Sequence, residues 1–421
     1  MAAQNPRRSI FVYADWQELE QLAPMGILYA SPVRGKEVFS FEYDETWLQS
    51  GQAQELDPDL QLFPGPQYLE ESKSNFGLFL DSSPDRWGRV LMTRREAALA
   101  RLEGRRERTL LETDYLLGVF DGHRLGALRF KEEPEGPFLN NNKEMASPPW
   151  TSIRELEYAS FQLEREDLDD VENLKWLGLL LAPGASLGGS RPKASVLDEK
   201  GNLWIAKFPS TKDTHDIGAW ETVVLELARQ AGLNVPEART GKYYSNQHTF
   251  LTRRFDRTNG SRRIHFASAM TLLGYTDGTD YHDGVSYLNI AEFIIRNGAN
   301  VTTDLEELWR RIVFYITVSN TDDHLSNHGF LLTKNGWVLS PAYDINPVET
   351  GTGLSLNISE TSNSLDLGLA IEVAPYFRVS EKRAKEIIGT VKKSVAPWPS
   401  LAEKTGIPKS EREMMARAFK I

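Results

Sequence analysis

The sequence predicts an α+β protein in which a small α+β domain precedes a β-rich region and then a mainly helical region. Two patterns support this order. Short β-type runs alternate with helical patterns over roughly the first 130 residues and return between residues 193 and 255, whereas helical patterns dominate from about residue 265. The length of 421 residues exceeds one ordinary core and predicts two or three packed units.

Composition limits the class of protein. Hydrophobic residues make up 40% and charged residues 25% of the chain, which is typical of a folded globular protein. The net charge of −11 argues against a generally basic protein that coats nucleic acid. The chain has no cysteine, which excludes disulfides, thiolate metal sites and thiol nucleophiles. The start lacks the apolar core of a secretory signal, and no run approaches a membrane span, so we expect a cytoplasmic protein without a membrane partner.

Four segments follow from the change of pattern along the chain. We expect a small α+β domain over residues 1–135, a linker over 136–150, a β-rich lobe over 151–262 and a helical lobe over 263–421. The linker is rich in proline, asparagine, glycine and charge, and it shows neither helical nor strand periodicity.

The predicted elements follow from alternation, from apolar faces and from breakers. Thr151 and Ser152 are typical N-caps, Gly232 is a typical helix stop, and DEKGN indicates a hairpin turn. The predicted strands are Ser9–Tyr13, Gly26–Ala30, Val38–Tyr43, Arg124–Phe130, Lys193–Leu197, Leu203–Phe208, Val235–Tyr243, His248–Phe255 and the hairpin Phe330–Leu339. The predicted helices are residues 151 to about 166, Leu168–Leu181, Ile217–Ala231 and Leu305–Ile316.

A glycine-rich segment, GASLGGSRPKA at Gly184–Ala194, stands directly before a predicted strand. Glycines allow backbone N–H groups to approach phosphate closely, and Lys193 would add positive charge. The segment matches neither common phosphate-loop pattern, so a plain flexible connection explains it equally well.

Lys207 lies inside the apolar run IAKFP, and Glu221 follows on the next predicted helix. A lysine in an apolar strand needs an anion, and in a kinase that anion is nucleotide phosphate, with a helix glutamate that orients the lysine. A lysine on an edge strand that points to water is the simpler alternative.

The segment NTDDHLSNHG directly after the Leu305–Ile316 helix carries the strongest signal. Asp322 and Asn327 have the D-x-x-x-x-N spacing of a kinase catalytic loop, in which the aspartate accepts the proton of the substrate hydroxyl and the asparagine holds magnesium. An Asx-rich turn and a His/Asp site for a transition metal are the alternatives. Asp323 and His328 are expected to support the loop by hydrogen bonds.

Asp344 follows the predicted hairpin in the segment SPAYD. This is where a kinase places its metal-binding aspartate. Glycine loop, lysine strand, glutamate helix, D-x-x-x-x-N, hairpin and aspartate therefore occur in the order of a two-lobed, protein-kinase-like fold.

The strings SLGGSRPKA, AKFP, RRFDR, NTDDHLSNHG and SPAYD resemble the core motifs of the HipA kinase family, in that family's order and spacing. FGLFLDSSPDRWG and DYLLGVFDGHRLGALRF are similar to the region that precedes the kinase core there. The resemblance covers almost the whole chain. It implies a HipA-like fold, use of ATP and Mg²⁺, and serine/threonine kinase activity as the toxin of a toxin–antitoxin module.

The resemblance also implies roles for single residues. Asp322 matches the catalytic base, Asn327 and Asp344 match the metal ligands, and Ser186 matches the loop serine on which family members phosphorylate themselves. The residues that match the ATP site are Gly188, Gly189, Ser190, Arg191, Pro192, Lys193, Lys207, Arg253, Phe255, His324, Asn327, Tyr343 and Asp344.

Two positions depart from the family pattern. Arg253 stands where an acidic residue is common, but the adenine contact expected there uses backbone. Ser190 replaces a common alanine and adds a second phospho-acceptor, so Ser186 is preferred and Ser190 remains open.

The resemblance implies partners that the residues themselves do not show. These are a small helix-turn-helix antitoxin, operator DNA through the antitoxin complex, and an aminoacyl-tRNA synthetase or translation factor as substrate. Lys382 and Lys385 in FRVSEKRAKEII could touch DNA phosphate, although a solvated helix face is the plainer interpretation.

Three alternative functions stay open. A non-catalytic co-repressor would use the fold only as a scaffold for an antitoxin on DNA, and a small-molecule kinase would use the same lobes. A metal-dependent phosphohydrolase would use the aspartates and histidines at 322, 323, 324, 328 and 344, but it would need neither Lys207 nor the glycine loop.

Overall fold

The computed structural model describes residues 7–70, 72–139, 148–165, 169–181, 189 and 191–421. Contacts divide the chain into two compact units, one of Met1–Thr211 with Asp256–Ala267 and one of Lys212–Phe255 with Ser268–Ile421. The predicted N-terminal domain and the first part of the predicted β-rich lobe thus fall in one unit. Across the described ranges, no helix has both the length and the apolar character that crossing a membrane requires.

A five-stranded antiparallel sheet forms the N-terminal part of the first unit. Its strands are β1 (Arg8–Ala14), β2 (Ala23–Val33), β3 (Lys36–Tyr43), β4 (Pro66–Tyr68) and β5 (Leu128–Lys131). They pair in the order β4-β3-β2-β1-β5. Ile10, Val12 and Ala14 of β1 are buried because alternate side chains of a strand point to the same face.

The strand predicted at Arg124–Phe130 begins only at Leu128. Arg124 is buried, and its guanidinium donates to the carbonyl oxygens of Ser82 at 2.7 Å and Leu116 at 2.9 Å. Because buried carbonyl groups need donors, this arginine is fixed in the connection before the strand.

Six described helices belong to the same unit. They are α1 (Glu45–Gln49), α2 (Gly77–Leu80), α3 (Arg86–Leu102), α4 (Glu112–Gly118), α5 (Ile153–Leu163) and α6 (Asp170–Leu181). Helix α6 packs against both α3 and α5. The two helices predicted after the linker are confirmed, with α5 ending three residues earlier than expected.

A β-hairpin of β6 (Lys193–Leu197) and β7 (Leu203–Lys207) follows in the first unit. Both predicted strands are confirmed, with β7 ending one residue before Phe208. Asp198 turns the chain, since its carboxylate accepts the N–H groups of Lys200 at 2.9 Å and Asn202 at 2.8 Å.

The last two residues of the RRFDR motif bind the N-terminal part of the same unit. Asp256 accepts the N–H of Gly126 at 2.9 Å, and Arg257 donates to the carbonyl oxygen of Arg124 at 2.7 Å. These bonds explain why Asp256–Ala267 belongs to the first unit.

The second unit is mainly helical. Its described helices are α7 (Ile217–Gln230), α8 (Ala269–Leu272), α9 (Tyr287–Asn297), α10 (Val301–Val318), α11 (Leu367–Val373), α12 (Glu381–Val395), α13 (Trp398–Lys404) and α14 (Lys409–Met415). Its hairpins pair β8 (Ala238–Gly241) with β9 (Thr249–Arg253) and β11 (Gly329–Thr333) with β12 (Gly336–Leu339). The short strand β10 (Phe266–Ser268) lies at the border of the units in the chain.

Helix α10 lies at the centre of the second unit, where it packs against α9, α11 and α12. The sequence predicts one apolar face, but every residue from Arg311 to Val318 is buried. Arg311 is accommodated because its guanidinium donates to the carbonyl oxygen of Ser340 at 2.6 Å and pairs with Glu307 at 3.0 Å. The helix therefore ends inside the protein.

Two glycines of the second unit predict opposite effects of the same substitution. A Cβ on Gly218 in α7 would lie 2.1 Å from the carbonyl oxygen of His248, whose imidazole Nδ1 lies 2.6 Å from Asp216. A Cβ on Gly389 in α12 would meet nothing within 4 Å. We expect Gly218→Ala to destabilise the protein by about 1–3 kcal/mol through overpacking. Gly389→Ala should stabilise it by about 0.5–1 kcal/mol through helix propensity.

Urea unfolding followed by circular dichroism measures both changes. Equal midpoints for the two variants would contradict the close approach of α7 to His248.

Candidate active site

The segment with the D-x-x-x-x-N motif starts where α10 ends. Ser319 has a left-handed φ of 51°, and its N–H bonds back to Ile316 of the last helical turn. A short helical turn, Leu325–Asn327, then leads into β11. The order of helix, loop and strand is as predicted.

Asp322 and Asn327 lie close together. The side-chain Nδ2 of Asn327 donates to the backbone carbonyl oxygen of Asp322 at 2.7 Å. The backbone N–H of Asn327 donates to the carbonyl oxygen of His324 at 2.8 Å. The side chain of Asp322 is exposed, whereas Asn327 is buried. The side-chain oxygen Oδ1 of Asn327 finds no hydrogen-bond partner within the described residues.

This buried oxygen is the strongest local sign of a ligand. A buried amide oxygen without a donor is costly, and hard cations such as Mg²⁺ take oxygen ligands of this kind. The residues present therefore fit a magnesium ion beside Asn327.

Asp344 is tied to the same loop through its neighbours. Tyr343 donates from its hydroxyl to the carbonyl oxygen of Ser326 at 2.7 Å, and the N–H of Asn346 donates to the side chain of Asn320 at 3.0 Å. Asp344 itself has a left-handed φ of 56°. Non-glycine residues in this region are uncommon and cluster at functional sites.

Asp323 and His328 point into the protein interior. One carboxylate oxygen of Asp323 lies 2.9 Å from Nε2 of His328 and also accepts the hydroxyl of Tyr287. Burial, together with the nearby Asp323, raises the pKa of Tyr287 well above its ordinary value. The described residues contain no group of three acidic or histidine side chains arranged to hold a metal.

Two predicted adenine contacts lie at the end of β9 and just beyond it. The N–H of Arg253 donates to the carbonyl oxygen of Glu237 at 2.8 Å, so this amide is already used. The ring of Phe255 lies 5.5 Å from that of Tyr343. On α7 of the same unit, Glu221 is buried.

The two predicted phosphate lysines belong to the first unit. Lys193 on β6 and Lys207 on β7 are direct cross-strand partners. Like charges in this position repel each other. The side chain of Lys193 is 3% exposed, and its ammonium group pairs with Asp85 at 2.5 Å. The negative charge of Asp85 therefore balances the positive charge of Lys193.

The rest of the predicted nucleotide loop is described only in part. Lys193 also donates to the carbonyl oxygen of Gly189 at 3.2 Å, and Arg191 donates to that of Phe208 at 3.2 Å. The carbonyl oxygen of Pro192 accepts the N–H of Phe208 at 2.8 Å. Gly188, Ser186 and Ser190 lie outside the described residues.

Sequence reasoning missed Asp85. Its carboxylate caps α3 by accepting the N–H of Gly88 at 2.8 Å, and its other oxygen binds Lys193. The string SPDRW indicates a helix start, but nothing local indicates a partner 108 residues away.

The predicted DNA-contacting lysines lie on α12, where carboxylates accompany them. Lys385 pairs with Glu381 at 2.5 Å, and the neighbouring Arg383 pairs with Glu306 at 2.7 Å. Lys382 is exposed. These pairs reduce the positive charge of the helix face, and DNA contact there stays a prediction.

Comparison with known proteins adds a family and a fold. A family model described as the HipA-like C-terminal domain matches residues 185–398. The structure is similar to HipA of Shewanella oneidensis, solved as a complex of HipA, HipB and operator DNA, with a TM-score of 0.66 and 16% identity over 97% of this chain and 94% of that one. At this identity the likeness shows a shared fold.

Two curated relatives show weaker similarity in sequence. A putative kinase of Haemophilus influenzae is 28% identical over 180 residues, which cover 38% of this chain and 52% of that protein. The serine/threonine-protein kinase toxin HipA of Shewanella oneidensis is 22% identical over 192 residues, which cover 40% and 44%. The matches thus span about half the length of these relatives.

The Asp85–Lys193 pair predicts non-additive effects on stability. Asp85→Ala should destabilise the protein by about 3–5 kcal/mol, because a buried ammonium loses its carboxylate. Lys193→Met should also destabilise it, since Asp85 then loses its counter-ion. The double variant should recover most of the loss. Urea unfolding of the four proteins measures this, and strictly additive losses would argue against a direct pair.

Proposed function

Because the chain belongs to the HipA-like C-terminal domain family, we propose that it is an ATP- and Mg²⁺-dependent serine/threonine protein kinase. The observation that supports this most is the buried, unpartnered Oδ1 of Asn327 beside the exposed Asp322. A metal ligand and a proton acceptor held next to each other suit phosphoryl transfer better than binding alone.

In the proposed reaction, Asp322 accepts the proton of a serine or threonine hydroxyl. The hydroxyl oxygen then forms a bond to the γ-phosphorus of ATP, while the bond from that phosphorus to the bridging oxygen breaks and ADP leaves. The exposure of Asp322 suits this role, because its carboxylate has to reach a hydroxyl on another protein.

Asn327 and Asp344 would hold Mg²⁺. The ion would neutralise charge on the ATP phosphates, which is the chemistry it supplies to kinases. Three hydrogen bonds from the residues after Ser340 to the loop between Ser319 and Ser326 hold the two segments together, which supports this proposal.

Lys207 would neutralise nucleotide phosphate, with the glycine loop and Lys193. Lys193 is bound to Asp85 in this structure. It would thus contribute only the part of its charge that the carboxylate leaves unbalanced. Lys207 is the stronger candidate for the direct contact.

We further propose that the protein is the toxin of a toxin–antitoxin module and acts in the cytoplasm. Support comes from the fold that it shares with a HipA solved together with HipB and operator DNA. A helix-turn-helix antitoxin is the proposed partner, and the protein would bind operator DNA only as part of the complex with that antitoxin. The proposed substrate is a protein of translation, such as an aminoacyl-tRNA synthetase or a translation factor.

Phosphoryl transfer can be tested on the protein alone. Incubation with Mg-ATP should add phosphate to the wild type, as measured by intact mass and peptide mapping. Asp322→Asn should slow this by about 10²–10⁴-fold while ATP still binds, because only the base is lost. Unchanged transfer by Asp322→Asn would refute the catalytic assignment.

The modified serine can be identified in the same assay. Ser186→Ala should remove most of the phosphate and Ser190→Ala little. Phosphate that maps outside Gly184–Lys193 would refute the proposed self-modification.

The toxin role predicts an effect on growth. Expression of the wild type in a bacterial host should arrest growth, and expression of Asp322→Asn at the same level should not. Equal arrest by both would favour a binding function, such as the co-repressor.

A further inference from the structure

Two side chains of the loop that carries Asp322 and Asn327 form a buried cluster with a tyrosine from a separate helix. Tyr287 is the first residue of α9, and its hydroxyl donates to Oδ2 of Asp323. The same oxygen lies 2.9 Å from Nε2 of His328. Tyr287 and His328 are 0% exposed and Asp323 is 1% exposed.

The position of the cluster in the chain links it to the site. Asp323 directly follows Asp322, and His328 directly follows Asn327. The Asp323–His328 bond and the Asn327–Asp322 bond therefore both join the two ends of the loop. Tyr287 connects this closed loop to a separate helix.

The loop depends on these side chains because it has little regular backbone structure of its own. It leaves α10 through the left-handed Ser319 and contains one short helical turn. A misplacement of about 1 Å can lower an enzyme's rate by about 10²-fold. A rigid support for the loop is thus worth more than its contribution to stability alone.

We propose that Tyr287, Asp323 and His328 are positioning residues that fix Asn327 for metal binding and Asp322 for proton acceptance. The proposal rests on the proposed kinase function. None of the three touches the reacting atoms, and each acts through its sequence neighbour or through Asp323. The hydroxyl of Tyr287 suits the role because, with its raised pKa, it stays protonated and donates throughout the working pH range.

The same core contains a matched control. Tyr315 on α10 is 0% exposed, and its ring lies 6.4 Å from that of His328, compared with 5.6 Å for Tyr287. Within the part of the chain that the structure describes, the hydroxyl of Tyr315 makes no hydrogen bond. Tyr287→Phe and Tyr315→Phe therefore remove the same atom from the same core, but only the first removes a bond to Asp323.

The first measurement is metal binding, with Mn²⁺ as the probe, in the presence of a non-hydrolysable ATP analogue. Removal of a group that holds a metal ligand typically lowers metal affinity or activity by about 10–100-fold. We expect Tyr287→Phe to weaken Mn²⁺ binding and to lower kcat by this factor, with little change in KM for ATP. Tyr315→Phe should stay within about twofold of the wild type.

The second measurement is backbone hydrogen exchange of residues 320–328, which does not require activity. Tyr287→Phe should exchange faster there than Tyr315→Phe. Equal exchange in the two variants overturns the inference even if the wild type transfers no phosphate, whereas faster exchange with an inactive wild type overturns only the kinase function. An active wild type with equal kcat and Mn²⁺ affinity in both variants also overturns the inference.

A second pair covers the case in which Tyr287→Phe does not fold. His328→Gln keeps an N–H donor near Asp323, and His328→Leu removes it. Rescue of Mn²⁺ binding by glutamine but not by leucine supports positioning. Equal losses in both would show that only the shape of the imidazole matters, and would overturn the inference.

Discussion

A helix whose last turns are buried on all sides has to end inside the protein, and the polar groups at that end then need partners. Helix α10 is such a helix, and the candidate site is built at its end. Ser319 donates from its hydroxyl to the carbonyl oxygen of Ala418 at 2.7 Å, and its own carbonyl oxygen accepts the N–H of Val348 at 3.0 Å. The C-terminal residues and the segment after β12 thus both supply hydrogen-bond partners for the polar groups at the end of α10.

Within this arrangement, Asn327 is the most informative residue, because its unpartnered atom is an acceptor in the loop that carries Asp322. Its neighbours Asn320, Asp323 and His328 are buried and each makes a side-chain hydrogen bond, although Nδ1 of His328, like Oδ1 of Asn327, finds no partner among the described residues. Leaving a buried acceptor without a donor costs about 1–3 kcal/mol. The fold bears this cost where a cation would recover it.

Sequence alone predicted the parts of the protein that depend on local chemistry. Lys193–Leu197, α10 and the spacing of Asp322 and Asn327 follow from periodicity, turn residues and motif order, all of which act over a few residues. Asp85 and Tyr287 were missed because their partners lie 108 and 36 residues away in the chain. Nothing in an aspartate before a helix, or in a tyrosine at the start of one, tells which distant group it meets. Burial of the whole end of α10 was missed for the same reason, since a single predicted face cannot show how many neighbours surround a helix.

The pairing of Asp85 with Lys193 bears on how this protein can be divided. A fragment that starts at residue 185, where the family match begins, would keep both lysines of the β6–β7 hairpin but lose the carboxylate that binds one of them. The hairpin would then carry more positive charge than it does in the intact chain and would attract polyanions of any kind, from nucleotides to nucleic acids. Nucleotide affinity measured on such a fragment would describe a different electrostatic surface from that of the intact chain.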